Sequence, residues 1–369
     1  GDDPVINTIP SVSVSESQLA DGSTPSVHPV QATGTIDYSE GSDNLSHFRL
    51  EPNEFNTDDS LKSNGLVVEL REEPADSGQY IGFTTSATGV ETTVFTLDFD
   101  ATNKADYTFT LLEAIDHGDA SGNNSLDFAL PVYMVDSDGD NSAKVTLDIT
   151  VTDDVQLMQN GAWTITEPND GESPTTATID VMPAQSADGA TITEFKFGDN
   201  TTQPLDQTIT GEQKFDYPEG TLYITLDGEM RFEPNRDLDH SAGDIIKTIT
   251  VTSGDFDNDS VSATVTLTLQ DGDDPVINTI PSVSVSESQL TDGTTPSVNP
   301  VQATGTIDYS EGSDNLSHFR LEPNEFNTDD SLKSNGLVVE LREEPADSGQ
   351  YIGFTTSATG VETTVFTLD

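Results

Sequence analysis

Short runs in which apolar and polar residues alternate constrain the fold of this chain more than any other feature. Clear cases are residues 107–111, 126–134 and 145–151. A period of two residues is typical of strands that bury one face of a sheet, and the runs are rich in Val, Ile, Thr, Phe and Tyr, which favour strands. No stretch keeps a helical period over three turns. The pattern therefore predicts an all-β protein.

The turns between these runs favour a β-sandwich. Asp227-Gly228 separates residues 222–226 from residues 229–232, which is a strong signal for a hairpin. Most other runs are separated by residues that break strands, chiefly Pro and Gly. Several short antiparallel strands per domain fit an immunoglobulin-like or cadherin-like β-sandwich. We predict tandem domains of this kind in a linear array.

A long internal duplication sets the predicted domain boundaries. Residues 1–98 recur at 272–369, and a repeat of this length is typical of a chain of whole domains. A weaker repeat inside the period relates its two halves. We predict domains at 1–153, 154–272 and 273–369. The copies differ only at Ala20 and Thr291, Ser23 and Thr294, and His28 and Asn299.

The third predicted domain has no counterpart of residues 99–153 within the sequence. Those residues hold the last predicted strands of the first domain. Without them, strand edges in residues 273–369 are expected to stay unpaired. We expect this domain to be unstable alone or to be completed by a neighbouring molecule.

The charge balance excludes several classes of partner. The chain has 67 Asp and Glu residues against 13 Lys and Arg, a formal charge of −54. Phosphate would be repelled, so nucleic acid is excluded, and no basic patch is available for an anionic membrane. No apolar run is long enough for direct membrane insertion, and the N-terminus has no signal-peptide pattern. Cations are therefore the expected partners.

Acidic loops recur at a fixed place relative to acidic junctions. Asp136, Asp138 and Asp140 precede an alternating strand that runs into Asp153-Asp154, and the same order is found again near residues 255–274. Clustered carboxylates are costly unless something neutralises them, and calcium prefers six to eight oxygen ligands. The EF-hand pattern is absent. The candidate calcium ligands are Asp2, Asp3, Glu16, Asp116, Asp136, Asp138, Asp140, Asp153, Asp154, Glu167, Asp239, Asp255, Asp257, Asp259, Asp271, Asp273, Asp274 and Glu287.

The remaining ligands are expected at the junctions between domains. The first strand of each domain ends at an acidic residue, which is Glu16, Glu167 or Glu287. In a tandem array the start of one domain lies beside the end of the previous one, so calcium that bridges such groups would stiffen the linker. The alternative for any single Asp is a solvated acidic surface.

Two Asp-His pairs raise the question of catalysis. Asp116-His117 and Asp239-His240 are adjacent in sequence, but no serine elbow and no thiol accompany them. The imidazoles are expected to cap turns. A zinc site needs three or four converging ligands, and five scattered histidines argue against one. We therefore predict that the chain is not an enzyme.

The chain resembles a known family. The order of residues 107–111, Ile115-Asp116-His117, 126–128, 135–140 and 145–154 is similar to the type I secretion target repeat of giant RTX-type bacterial adhesins. The resemblance implies an extender domain that leaves the cell through a type I channel and folds in extracellular calcium. Such domains project a terminal binding module from a Gram-negative surface for adhesion and biofilm formation. Their partners are calcium ions and neighbouring repeats.

The alternative function is a ligand-binding module for a carbohydrate or a protein. Domain 154–272 is its best candidate because its loops diverge from those of the first domain. Residues 198–200 and 169–171 are polar and offer oxygen atoms for a sugar held through calcium.

Overall fold

The computed structural model describes residues 2–118 and 122–369, and these form two compact units. One unit runs to Pro168 and resumes over Glu172–Asp271. The other comprises Asn169–Gly171 and Gly272–Asp369. The predicted all-β class is confirmed, since the described residues contain strands and short 3-10 turns but no α-helix. The 3-10 turns are Glu16–Gln18, Pro52–Glu54, Glu287–Gln289 and Pro323–Glu325.

The first unit begins with a β-sandwich. A five-stranded sheet in the order β3-β11-β10-β9-β8 faces a four-stranded sheet in the order β2-β13-β12-β5. Two short pairs, β1-β4 and β6-β7, flank the sheets. The strands are β1 (Val5–Thr8), β2 (Val12–Ser15), β3 (Val30–Thr35), β4 (Asp37–Ser39), β5 (Leu45–Leu50), β6 (Lys62–Ser63), β7 (Leu66–Val67), β8 (Glu69–Glu72), β9 (Gln79–Thr85), β10 (Glu91–Phe99), β11 (Asp106–Leu111), β12 (Ser125–Asp136) and β13 (Val145–Thr152).

The core of this sandwich comes from the alternation seen in the sequence. Phe109 on β11 and Phe95 on β10 are buried against Leu130 on β12 and Ile149 on β13. The polar residues between them point away from the core, as the period of two requires. Strands β2 and β13 pair in parallel, whereas β12 and β13 are antiparallel. Residues at the two ends of β13 therefore lie at opposite ends of the sandwich.

A second sandwich follows in the same unit. Its sheets have the orders β14-β22-β21-β16-β17 and β15-β20-β19-β18, and β14 pairs in parallel with β22. The predicted hairpin at Asp227-Gly228 is confirmed, because it joins β19 to β20. The strands are β14 (Gly161–Thr166), β15 (Ala177–Asp180), β16 (Ala190–Phe197), β17 (Gln203–Pro204), β18 (Gln213–Tyr217), β19 (Gly220–Ile224), β20 (Glu229–Pro234), β21 (Ile245–Asp255) and β22 (Ser260–Gln270).

The second unit holds fewer paired strands. Val12 is 8% exposed in the first sandwich, but its counterpart Val283 is 56% exposed. The reason is topological: β2, β3 and β5 pair with β13, β11 and β12, which lie beyond residue 98. The strands of this unit are β23 (Val276–Thr279), β24 (Asp308–Ser310), β25 (Lys333–Ser334), β26 (Leu337–Val338), β27 (Glu340–Glu343), β28 (Tyr351–Thr356) and β29 (Glu362–Leu368).

Gly82 on β9 is required by the packing of the first sandwich. A methyl group built on Gly82 would overlap the ring of Phe95, which is fully buried on the neighbouring strand. Gly82→Ala is expected to lower the free energy of unfolding by about 1–3 kcal/mol, the usual cost of overpacking a core. Urea unfolding, monitored by far-ultraviolet circular dichroism, measures the change in the free energy of unfolding.

Gly211→Ala is the matched control for this substitution. No heavy atom lies within 4 Å of a methyl group at Gly211, so the control should unfold like the wild type. Equal unfolding midpoints for the Gly82 and Gly211 variants would contradict this prediction, because the Phe95 ring would then have moved aside without lowering the free energy of unfolding.

No helix among the described residues has the length and apolar character needed to cross a bilayer.

Candidate metal centre

Acidic residues of the two sandwiches in the first unit meet where the chain passes from one to the other. Glu16 lies just after β2, and Asp153 and Asp154 follow β13. Asp188 precedes β16, and Asp257 lies in the turn between β21 and β22. All except the half-buried Asp188 are buried. We call these residues, together with His117, Asp255 and Asp259, the junction cluster.

Hydrogen bonds from the first sandwich hold the acidic turn of the second. The backbone N–H of His117 donates to Asp257 Oδ2 at 2.7 Å, and the backbone N–H of Gly122 donates to Asp259 Oδ1 at 3.0 Å. Asp154 joins the two sandwiches from the linker. It accepts from the backbone N–H groups of Ser23 at 2.7 Å and Ala187 at 3.0 Å. Both acidic segments are therefore fixed in position.

Three carboxylates of the junction cluster converge on one point. Oxygen atoms of Asp153, Asp188 and Asp257 lie within 4.8 Å of one another. Among the described residues, Asp153 Oδ2, Asp188 Oδ2 and Asp259 Oδ2 are buried and have no hydrogen-bond partner. Their distance from every described Lys or Arg nitrogen exceeds the range of a salt bridge. Buried charges left uncompensated in this way are strongly destabilising, so the group fits a bound cation.

A second set of ligand atoms adjoins the first and includes a histidine. Glu16, His117 and Asp153 offer one atom each within 4.8 Å, and His117 Nε2 lies 3.4 Å from Glu16 Oε1. Glu16 Oε1 also accepts the backbone N–H of Ile115 at 2.7 Å. Asp153 belongs to both sets and therefore links them.

Asp153, Asp188 and Asp257 form a set without a histidine, which we call the oxygen-only set. Burial raises the pKa of each of its carboxyl groups. Burial, together with the charges of Glu16 and Asp257, raises the pKa of Asp188 to about 9. Burial raises the pKa of Asp153 to about 7, although His117 opposes the shift. The pKa of Asp257 is also raised, chiefly by burial. These groups therefore stay protonated at pH values at which ordinary aspartates are ionised.

The pKa values of Asp255, Glu16 and His117 are raised as well. Burial raises the pKa of Asp255 to about 6, and burial also raises the pKa of Glu16. Burial alone would lower the pKa of His117, but the Glu16 carboxylate, 3.4 Å from His117 Nε2, outweighs burial and raises that pKa. A cation and protons would therefore compete for the same atoms.

Each sandwich carries a group of acidic residues at both of its ends. Asp43, two residues before β5, lies with Asp136 and Asp138 at the end of the first sandwich remote from Asp153. Asp188 stands two residues before β16, which is the same place in the second sandwich. Asp136 Oδ1 accepts the N–H groups of Gly139 at 3.0 Å and Asp140 at 2.8 Å, so the loop curls around this carboxylate.

The opposite end of the second sandwich repeats the histidine set. Glu167, His240 and Asp271 offer ligand atoms within 4.8 Å, and His240 Nε2 lies 3.7 Å from Glu167 Oε2. Glu167 Oε2 accepts the backbone N–H of Leu238 at 3.2 Å, which matches the contact between Glu16 and Ile115. Both histidine sets therefore share a glutamate that lies beside the imidazole and accepts a backbone N–H.

Several predicted ligands lie outside these sets. Asp116 Oδ2 accepts the N–H of Gly65 at 2.9 Å, and Asp239 Oδ1 accepts that of Ser241 at 3.0 Å, so both carboxylates serve turns. Asp154 Oδ2 accepts the two backbone N–H groups described above, and Asp154 Oδ1 accepts the hydroxyl of Ser23. The remaining predicted ligands that are exposed and belong to no set are Asp2, Asp3, Asp140, Asp273, Asp274 and Glu287.

Sequence reasoning missed Asp43, Asp188, His117 and His240 as members of the sets. It also grouped the Asp136 loop with Asp153-Asp154, but the antiparallel pairing of β12 and β13 puts them at opposite ends of the sandwich. The loop that meets Asp153 is the Asp257 turn of the following sandwich. An aspartate two residues before β5 and β16 was the available signal for Asp43 and Asp188.

One cavity in the first sandwich has a different character. It has a volume of about 440 Å³ and lies beside the edge strand β5. His47, Arg49 and Lys104 line it together with Glu72 and Phe99. Arg49 Nε is buried and has no hydrogen-bond partner among the described residues. The cavity therefore offers unused positive charge in a strongly acidic protein.

No family model matches this chain, and no curated protein does. Among solved structures, the D00-D0 domain of intimin is 9% identical, with a TM-score of 0.22, covering 72% of this chain and 98% of that chain. Cadherin-like domains 1 to 4 of zebrafish RET are 12% identical, with a TM-score of 0.28, covering 73% and 51%. Extracellular cadherin domains 1–4 of protocadherin gamma B7 are 12% identical, with a TM-score of 0.26, covering 100% and 76%. Because these TM-scores are low, the β-sandwich assignment rests on the sheets and cores described above.

Proposed function

We propose that the chain is a non-enzymatic spacer of a secreted bacterial surface adhesin, and that calcium stiffens the junctions between its domains. The junction cluster supports this proposal most directly. Its carboxylates come from two successive sandwiches, so one ion bound there would tie the sandwiches together. The duplication of residues 1–98 supports a spacer as well, since length grows with copy number.

Calcium suits the oxygen-only set better than other common cations. Asp153, Asp188 and Asp257 supply carboxylate oxygens, with Asp255 and Asp259 beside them. Calcium accepts six to eight such ligands in irregular geometry, whereas magnesium demands a near-octahedral site and gives up its waters reluctantly. The charge of −54 adds a general repulsion that bound calcium would relieve.

The resemblance to type I secretion target repeats of RTX-type adhesins gives this spacer a setting. In that setting the chain crosses the secretion channel unfolded and folds in extracellular calcium at a Gram-negative cell surface. A terminal module elsewhere in the adhesin then binds a surface and promotes biofilm formation. Folding coupled to metal binding is consistent with carboxylates that are buried without a protein cation.

Calcium removal tests the proposal. At neutral pH, stripping calcium with EGTA is expected to lower the melting temperature of the first unit by about 5–10 °C. The estimate follows from a stabilisation of about 2.7 kcal/mol at 100 times Kd and about 2–4 °C per kcal/mol. Circular dichroism measures the midpoint, and magnesium at the same concentration is the control. Equal midpoints with calcium, magnesium and chelator would refute a calcium-stabilised junction.

A second candidate function is ligand binding, and the cavity beside β5 favours it. The guanidinium of Arg49 and the ammonium of Lys104 suit a carboxylate, and Glu72 on the same wall suits hydroxyl groups. An acidic sugar carries both. Binding to an acidic glycan on an array, abolished by Arg49→Met, would support this function. No binding to any acidic glycan would refute it and leave the spacer as the proposed function.

A further inference from the structure

The two histidine sets contain a ligand atom that calcium does not favour. Calcium sites are built from oxygen atoms, whereas imidazole nitrogen suits zinc and its neighbours in the first transition row. His117 in the first sandwich and His240 in the second each face two carboxylates. The side chain of His117 is fully buried, and that of His240 is 5% exposed.

Hydrogen bonds around His117 fix which of its nitrogens is free. The amide Nδ2 of Asn124 donates to the carbonyl oxygen of Gly118 at 3.1 Å, so Asn124 Oδ1 faces the imidazole. That oxygen lies 2.8 Å from His117 Nδ1, which must therefore be the donor. Metal-binding histidines are commonly oriented by such a contact on the second nitrogen. In the neutral ring the lone pair of Nε2 then points at Glu16 and Asp153.

The atoms that converge in the first set lack other partners. His117 Nε2, Glu16 Oε2 and Asp153 Oδ2 are buried without a hydrogen-bond partner among residues 2–118 and 122–369. Two acceptors, His117 Nε2 and Glu16 Oε1, face each other at 3.4 Å. This separation is close to the edge of a tetrahedron with ligands at about 2.0–2.1 Å from zinc. A divalent ion or a proton is needed between them.

The second set shares the glutamate contacts of the first, although Asp271 is exposed and His240 Nδ1 is buried without a hydrogen-bond partner among the described residues. In both sets the glutamate directly follows the strand that pairs in parallel with the last strand of its sandwich, at Glu16 after β2 and at Glu167 after β14. In both it accepts the N–H of the residue two positions before the histidine. His240 Nε2 and Glu167 Oε1 are buried without a hydrogen-bond partner in the described part of the chain. A solvated acidic surface does not explain such a repeated arrangement.

We propose that Glu16, His117 and Asp153 form one zinc-class site, and that Glu167, His240 and Asp271 form a second. Each would bind a divalent transition metal through one imidazole nitrogen and two carboxylates, with water completing the coordination. The second site shares no residue with the oxygen-only set, and neither site depends on the proposed calcium function. The first would share Asp153 with the calcium set and so couple the two metals at the junction.

Histidine nitrogens give a direct test in the wild-type protein. The chain has five histidines, so selective ¹⁵N labelling yields signals from five rings, with two nitrogens in each. In calcium-saturated buffer, zinc chloride is expected to shift the ring signals of His117 and His240 and to leave His28, His47 and His318 unchanged. Isothermal titration is expected to find two zinc sites per chain. His117→Gln should leave one site.

Two further variants make the test specific. His28→Asn is the matched control because the second copy carries Asn299 at this position, and it should keep both sites. Asn124→Ala should weaken the first site about 10–100-fold, while Asn124→Asp, which keeps the acceptor oxygen, should bind more tightly than Asn124→Ala. Both variants are compared in calcium, where the junction stays folded.

The outcomes separate the proposal from its rivals. If zinc moves the signals of none of the five rings, the sets are buried histidine–carboxylate ion pairs and the proposal is overturned. If calcium alone moves the same two signals as zinc, the sets are calcium sites and the proposal is equally overturned. A failure of calcium to stabilise the protein leaves the zinc result unaffected, so the two proposals can fail separately.

Discussion

Asp153→Asn is expected to remove most of the calcium-dependent rise in melting temperature and, without calcium, to make the protein more stable than the wild type. Asp153 is 1% exposed and belongs to both sets of the junction cluster. Asparagine keeps the size of the side chain but supplies one neutral oxygen in place of a carboxylate. Calcium binding then loses its shared ligand.

The opposite effect in calcium-free buffer has a local cause. Asp153 Oδ2 has no hydrogen-bond partner among the described residues, and the charges of Glu16 and Asp257 oppose its ionisation. An amide group removes one buried negative charge, and its N–H is able to donate to Glu16. Asp153 Oδ1 accepts the N–H of Asp154 at 2.7 Å, and the asparagine oxygen preserves this contact.

The two effects appear as a crossing of the melting curves. Calcium at 100 times Kd should stabilise the wild type by about 2.7 kcal/mol and the variant by much less. The variant should therefore melt above the wild type in chelator and below it in calcium. Asp148→Asn is the control, because Asp148 is an exposed aspartate on the same strand, β13. A uniform loss of stability with and without calcium would show that Asp153 is merely structural.

Acidification is expected to stabilise the calcium-free protein, which is contrary to the usual behaviour of paired carboxylates. The pKa values of Asp188, Asp153 and Asp255 are raised from 3.8 to about 9, 7 and 6 by burial. Between about pH 4 and 9 the folded state therefore holds protons that the unfolded state has released. The free energy of unfolding falls as pH rises whenever the folded state binds more protons.

His117 acts in the same direction. Its pKa is raised in the folded state, so its stabilising contribution is complete at low pH and is lost as pH rises through the folded value. The melting temperature in calcium-stripped buffer should be on the order of 10 °C higher at pH 5 than at pH 8, at about 2–4 °C per kcal/mol.

Saturating calcium should reduce or reverse this dependence, because the ion displaces the protons that stabilise the folded state. Scanning calorimetry at both pH values, with and without calcium, measures the difference. A melting temperature that rises from pH 5 to pH 8 in calcium-free buffer would contradict the burial of these carboxylates without a compensating cation.

The strands were accessible from the sequence because one physical rule governs them. Residues 107–111 and 145–151 alternate strictly, and the structure buries Phe109 and Ile149 from these runs. The pairing order was less accessible. No local pattern states that β13 lies between β2 and β12, so the distance between the Asp136 loop and Asp153 could not be read from their spacing.

The composition of the metal sets depended on the fold for the same reason. Glu16, His117 and Asp153 are far apart in sequence. They meet because β2, the β11–β12 connection and β13 bring them to the same end of the sandwich. The spacing of five scattered histidines along the chain argued against a zinc site, but that spacing does not show which carboxylates surround each imidazole in the fold. Asp188 was overlooked because its partners Asp153 and Asp257 belong to separate sandwiches.

The distance between the first two sandwiches, measured with and without calcium, tests the proposed stiffening most directly. The chain contains no cysteine, so Thr92→Cys on β10 and Lys214→Cys on β18 provide two unique exposed sites for spin labels. Pulsed electron resonance reports the distribution of distances between them. Calcium is expected to give one narrow distribution, and EGTA a broad one. Distributions of equal width in the two buffers would contradict the claim that calcium stiffens this junction.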